Sequence, residues 1–129
     1  MKENDLQKRL FDFGVRVIKF LPKLPKAPEF SVIRYQLAKC STSSGANYEE
    51  AQAGSSKADF NNKVRISLRE MRESNYWLRT VQAAQKGNEL SDELYYLIDE
   101  SRQLKNILGS IAAKTNVKYK SEKDRLSKK

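Results

Sequence analysis

Two sets of basic residues recur every seven positions: Lys2, Arg9, Arg16 and Lys23 near the start of the chain, and Arg65, Arg72, Arg79 and Lys86 in its middle. On helices, members of each set stand two turns apart on one line. Each set makes a cationic stripe about 30 Å long, enough to follow several phosphates of a nucleic acid. Arg69 widens the second stripe. The alternative is structural: these cations lie on solvated faces, or pair with the acidic stripe Asp92, Glu93, Asp99 and Glu100, within one chain or between subunits. Charge reversal at Arg65, Arg72 and Arg79 separates the readings, because it weakens polyanion binding in the first and dissociates an oligomer in the second.

Other chemistry-bearing residues read differently. Glu70 and Glu73 resemble an acid-base pair. If the chain turns near residues 54–56, however, antiparallel pairing sets Glu70 beside Cys40 and Ser41 and Glu73 beside Gln36 and Leu37. That position suits a buried polar network fixing helix register, with Asn47 and Glu50 as further members, because unpartnered buried carboxylates are costly. Cys40 occupies an apolar-seam position and reads as a small buried hydrophobe. Tyr35, Tyr48, Tyr76, Tyr95 and Tyr96 suit stacking on bases or lining of subunit interfaces.

The 129 residues contain no histidine and one cysteine, which removes Ser-His-Asp and Cys-His nucleophiles, His-bearing zinc sites, di-iron Glu-x-x-His pairs and an intrachain disulfide. The expectation is a protein without enzymatic activity, metal, cofactor or small-molecule substrate. Lys and Arg number 25 against 16 Asp and Glu, for a net charge of +9. An anionic partner is therefore the first suspicion. The excess is uneven: residues 1–27 and 55–87 each hold seven basic and three acidic residues, and residues 114–129 seven and two. Residues 88–113 reverse the balance, with two basic and five acidic. No apolar stretch suits a secretory leader or membrane span, so a cytoplasmic protein is expected.

The elements that must position these residues are helices. Leu6, Leu10, Phe13, Val17, Phe20 and Leu24 alternate spacings of four and three, the period of a bundle seam. Ile33, Leu37, Cys40, Ser44, Asn47 and Ala51 repeat it with small residues that allow close approach. Phe60, Val64, Ser67, Met71, Ser74, Leu78 and Val81, then Leu94, Leu97, Ser101, Leu104, Leu108 and Ile111, give two more seams. Pro22, Pro25, Pro28, Gly54 and Gly87 punctuate them; Gly54 suits a left-handed position, and Ser56 with Asp59 forms a capping box. This predicts one all-α domain over residues 1–116. It is an up-down-up-down antiparallel four-helix bundle with helices at about 4–24, 28–53, 57–86 and 91–114. The basic residues 117–129 are expected to form a disordered tail.

The runs Gln36-Leu37, Thr42-Ser43-Ser44-Gly45-Ala46-Asn47-Tyr48-Glu49-Glu50-Ala51, Ser56-Lys57-Ala58-Asp59-Phe60 and Ile66-Ser67-Leu68-Arg69-Glu70-Met71-Arg72-Glu73-Ser74-Asn75-Tyr76-Trp77-Leu78 resemble the bacterial four-helix-bundle family of rRNA intervening-sequence proteins. The resemblance covers residues 36–78. Ser44 departs from the aliphatic residue expected there, which points to a local polar pocket. The resemblance implies a ring-like homopentamer without known enzymatic activity. It also implies kinship with the accessory protein of diversity-generating retroelements, a basic pentamer that binds a reverse transcriptase and nucleic acid. The expected function is a nucleic-acid-binding adaptor, or an adaptor for a nucleic-acid enzyme. A module whose charged stripes serve assembly alone is the alternative.

Overall fold

The computed structural model describes residues 3–54, 56–85 and 91–127. Four helices follow one another: α1 (Glu3–Phe20), α2 (Pro28–Ala53), α3 (Lys57–Ala84) and α4 (Ser91–Ser127). Each packs on its neighbours in sequence, and α4 returns beside α1 to close an antiparallel four-helix bundle. The described residues contain no strand.

The ends follow from local chemistry. After Phe20 the chain tightens into a 3-10 turn, Leu21–Lys23, around Pro22, and Leu24 is extended. Pro28 opens α2, where its missing N–H is no loss. Ser56 caps α3 by accepting the Asp59 N–H at 3.1 Å. Gly54 corrects an expectation: its φ of −66° and ψ of 153° are extended, not left-handed. A Cβ there would stand 3.2 Å from the Ala51 carbonyl oxygen, so close approach, not handedness, favours glycine.

The whole α1 seam, Leu6, Leu10, Phe13, Val17, Phe20 and Leu24, is buried. So are Val64, Met71, Leu78 and Val81 of α3 and Leu94, Leu97, Leu104 and Leu108 of α4. On α2, Tyr48 takes the core place expected of Asn47, which is half-buried. Small residues set the α1–α2 spacing: a Cβ on Gly14 would lie 3.1 Å from the Ser41 carbonyl oxygen, and one on Gly45 3.4 Å from the Leu10 backbone. Between these backbones runs an open groove lined by Phe11, Val15, Ile18, Thr42 and Ala46. Phe11, at 62% exposed, Val15 and Ile18 form a second apolar line on α1 that none of the described residues covers.

The largest departure lies at the C-terminal end. α4 continues to Ser127 where a tail was expected from 117. From residue 110 to Ser127 there is no glycine or proline to stop it.

Candidate nucleic-acid interface

The two basic stripes have different fates. On α1, Arg9 donates from Nε (3.1 Å) and Nη2 (2.6 Å) to the two carboxylate oxygens of Glu100, with Nη2 also reaching Gln103 Oε1 at 3.3 Å. One heptad on, Arg16 donates from Nε (2.7 Å) and Nη2 (3.0 Å) to Glu93, and its guanidinium lies 3.6 Å above the Tyr96 ring. Both are forked Arg–carboxylate pairs, which order the side chains as well as attract them. The expectation that Arg9 and Arg16 form a free phosphate-tracking stripe is therefore corrected: they clamp α1 to α4. The sequence held the signal, since Glu93 and Glu100 are also seven apart and match the arginine spacing in an antiparallel pair. Lys23 remains exposed near the Glu93 carboxylate.

The α3 stripe stays outside. Arg65, Arg69, Arg72 and Arg79 are all exposed, whereas Lys86 lies outside the described residues. Asn75 fixes their direction: its Nδ2 donates to Ser101 Oγ at 2.9 Å and to the Ile98 carbonyl at 3.3 Å, so that side of α3 faces α4. Arg72 and Arg79, three positions before Asn75 and four after, lie on the exposed flank beside this contact. Arg79 donates to Asn75 Oδ1 at 2.9 Å and sits 5.9 Å from the Tyr76 ring. Arg69 and the 53%-exposed Tyr76 occupy the outermost line. Among the described residues, neither Arg69 nor Arg72 has a carboxylate within ion-pairing distance. Tyr35, Tyr95 and Tyr96 are exposed, and Tyr48 is buried at 2%.

The expected polar network of Asn47, Glu50, Glu70 and Glu73 does not form as a unit. Asn47 bonds back to Ser43, Glu50 is exposed, and Glu73 accepts from Trp77 Nε1 at 3.1 Å. These side chains face the rim, and the buried network is made of serines. Ser44 Oγ donates to the Ser67 carbonyl at 2.8 Å, and Ser67 Oγ donates to the Ser44 carbonyl at 2.7 Å. Ser74 Oγ donates to Cys40 Sγ at 3.2 Å, and Ser101 receives Asn75. Polar residues at seam positions must pair when buried, which is the signal the spacing carried for Ser44, Ser67, Ser74 and Ser101. Burial, together with the nearby Glu73 and Glu70 charges, pushes the Cys40 thiol up to about 11, against the Ser74 hydrogen bond. It is an inert core thiol, not a nucleophile.

Electrostatics separate the two glutamate pairings. The Arg16 hydrogen bonds hold Glu93 below the usual carboxylate range, so that pair stabilises the fold above this range and its contribution fades as pH falls. Glu70 behaves oppositely: partial burial and the Glu73 charge raise its pKa, so the folded state disfavours its ionised form at neutral pH. Glu70→Gln is therefore expected to raise the thermal midpoint at pH 7, with the gain vanishing near pH 4, as circular dichroism melts at both pH values would report.

No helix among the described residues is long and apolar enough to cross a membrane, and none of their carboxylate and thiol groups cluster in threes that could hold a metal ion. No curated protein matches the sequence. Among solved structures, a protein of unknown function from the S23 ribosomal protein family of Bacteroides thetaiotaomicron is similar at 29% identity and a TM-score of 0.74, over 88% of this chain and 99% of that one. The 23S rRNA-intervening sequence protein family matches residues 2–110, nearly the whole bundle, and the chain belongs to that family.

Proposed function

We propose that this protein is a non-enzymatic homo-oligomer, a pentamer as the family resemblance implies, that acts as an adaptor for nucleic acid or a nucleic-acid enzyme. The observation that carries the reading is the outer face of α3. With Arg9 and Arg16 engaged by Glu100 and Glu93, Arg69 and Arg72 still stand exposed without carboxylate partners, flanked by Arg65, Arg79 and Tyr76. A face of this kind holds phosphates through charge and has little means of reading base edges, so binding is expected to be salt-sensitive and weakly sequence-specific. The uncovered line Phe11, Val15 and Ile18 supports assembly through the α1–α2 side, away from these arginines.

Fluorescence anisotropy with structured RNA and duplex DNA, at about 50 and 200 mM salt, tests the adaptor reading alongside solution mass. About six phosphate contacts per bound site would weaken binding roughly a thousandfold over that range. An oligomer that binds neither polymer at low salt overturns the nucleic-acid part and leaves assembly as the role of the charged face.

A further inference from the structure

We propose that the C-terminal part of α4, from Lys114 onward, is a second nucleic-acid contact: a helical arm that projects from the bundle and grips the phosphate backbone. This inference rests on the adaptor reading above and adds an element to it.

Three observations converge. The first is register. Arg9 faces Glu100 and Arg16 faces Glu93, so the start of α1 at Glu3 stands level with about residue 106 of α4. Asn75 faces Ser101, and Leu68 lies against Gly109, so the start of α3 at Lys57 is level with about residue 119. With α4 helical to Ser127, it passes α1 by about 30 Å and α3 by about 12 Å. Among the residues of α4 whose burial is described, none after Ala112 is buried, and Arg125 and Leu126 are exposed.

The second is charge. Residues 114–129 hold seven basic and two acidic residues, whereas the preceding part of α4 is acidic and engaged with α1. The polarity of the helix thus reverses where it leaves α1. Lys114, Lys118 and Arg125 recur at intervals of four and seven, which is one line along a helix, about 16 Å in length. The third is that the family match stops at residue 110, short of this basic segment.

Nucleic acid fits this element better than a lipid surface. The large apolar residues of the segment are Val117, Tyr119 and Leu126. Tyr119 and Leu126 are seven apart, but Val117 falls on the opposite side by spacing, leaving no apolar face to enter a membrane interface.

The test uses the full chain with Lys114, Lys118, Lys120 and Lys123 replaced by Gln, a residue of similar helix propensity, and a companion with the same four changed to Arg. Anisotropy with structured RNA and duplex DNA is measured across salt, with helicity and solution mass as controls. The expected result is a slope of log affinity against log salt that falls by about 3 in the Gln variant and is restored in the Arg variant, with about tenfold or greater weakening at moderate salt. If the unaltered chain binds and the Gln variant keeps its slope, the arm is overturned while the adaptor reading stands. If the unaltered chain binds no nucleic acid, both fall. Binding to phosphatidylserine vesicles in place of nucleic acid also overturns the arm as proposed.

Discussion

Reversing two charges on the outer face of α3, Arg69→Glu with Arg72→Glu, is expected to weaken polyanion binding at about 50 mM salt by roughly a hundredfold or more and to lower the salt slope by about 2. Both side chains are exposed, and among the described residues neither has an ion-pair partner, so the fold loses no ion pair with them. Arg79 is left intact because it donates to the Asn75 side-chain Oδ1 while Asn75 donates to Ser101. The choice matters: reversing Arg9 or Arg16 would break the clamp to Glu100 or Glu93 and mix stability with binding. Solution mass decides between the two classes of function. Lost binding with unchanged mass supports the adaptor; a fall in mass with the same variant places these arginines between subunits.

Ser67→Leu is expected to destabilise the bundle by about 2–4 kcal/mol, enough to remove much of the stability of a domain this size. Ser67 and Ser44 are fully buried and bond reciprocally across the α2–α3 contact at 2.7 and 2.8 Å, so the facing backbones are held too close for a longer side chain. Overpacking costs about 1–3 kcal/mol, and losing the hydrogen bonds of the buried Ser67 hydroxyl adds about 1 kcal/mol. Ser67→Ala removes that hydroxyl without adding bulk and should cost about 1 kcal/mol. Denaturant unfolding of both variants checks the contrast. Equal costs would mean that the serine pair contributes hydrogen bonding alone and the seam has room to spare.

The serine pair also marks where reading the sequence reached its limit. Ser44 stands out because an aliphatic residue was expected there, and its polarity pointed to a pocket. Its partner is visible only once α2 and α3 are docked, because register between two helices depends on the turn and on side-chain fit along the contact. The register arithmetic sets Glu70 beside Cys40 and Glu73 beside Gln36 and Leu37; in the structure both carboxylates are near enough for their charges to affect the Cys40 thiol. They remain at the rim all the same, since one helical step of rotation moves a side chain from seam to edge. Asn47 and Tyr48 show the same displacement, with the tyrosine buried and the asparagine bonded to its own helix.

What the sequence determined by itself was local and periodic: four apolar seams, the proline and serine signals that open helices, and a basic excess confined to particular segments. These properties repeat within a few residues, so they survive without knowledge of the partner helix. The tertiary structure decided which charges are free. Arg9 and Arg72 look alike as heptad members, yet Arg9 meets Glu100 across 91 positions of chain while Arg72 is exposed. An ion pair needs two helices brought to the same height and the right rotation. That condition belongs to the packed bundle, because burying the apolar seams fixes both quantities together and leaves the charges to pair, or to face solvent, where the seams put them.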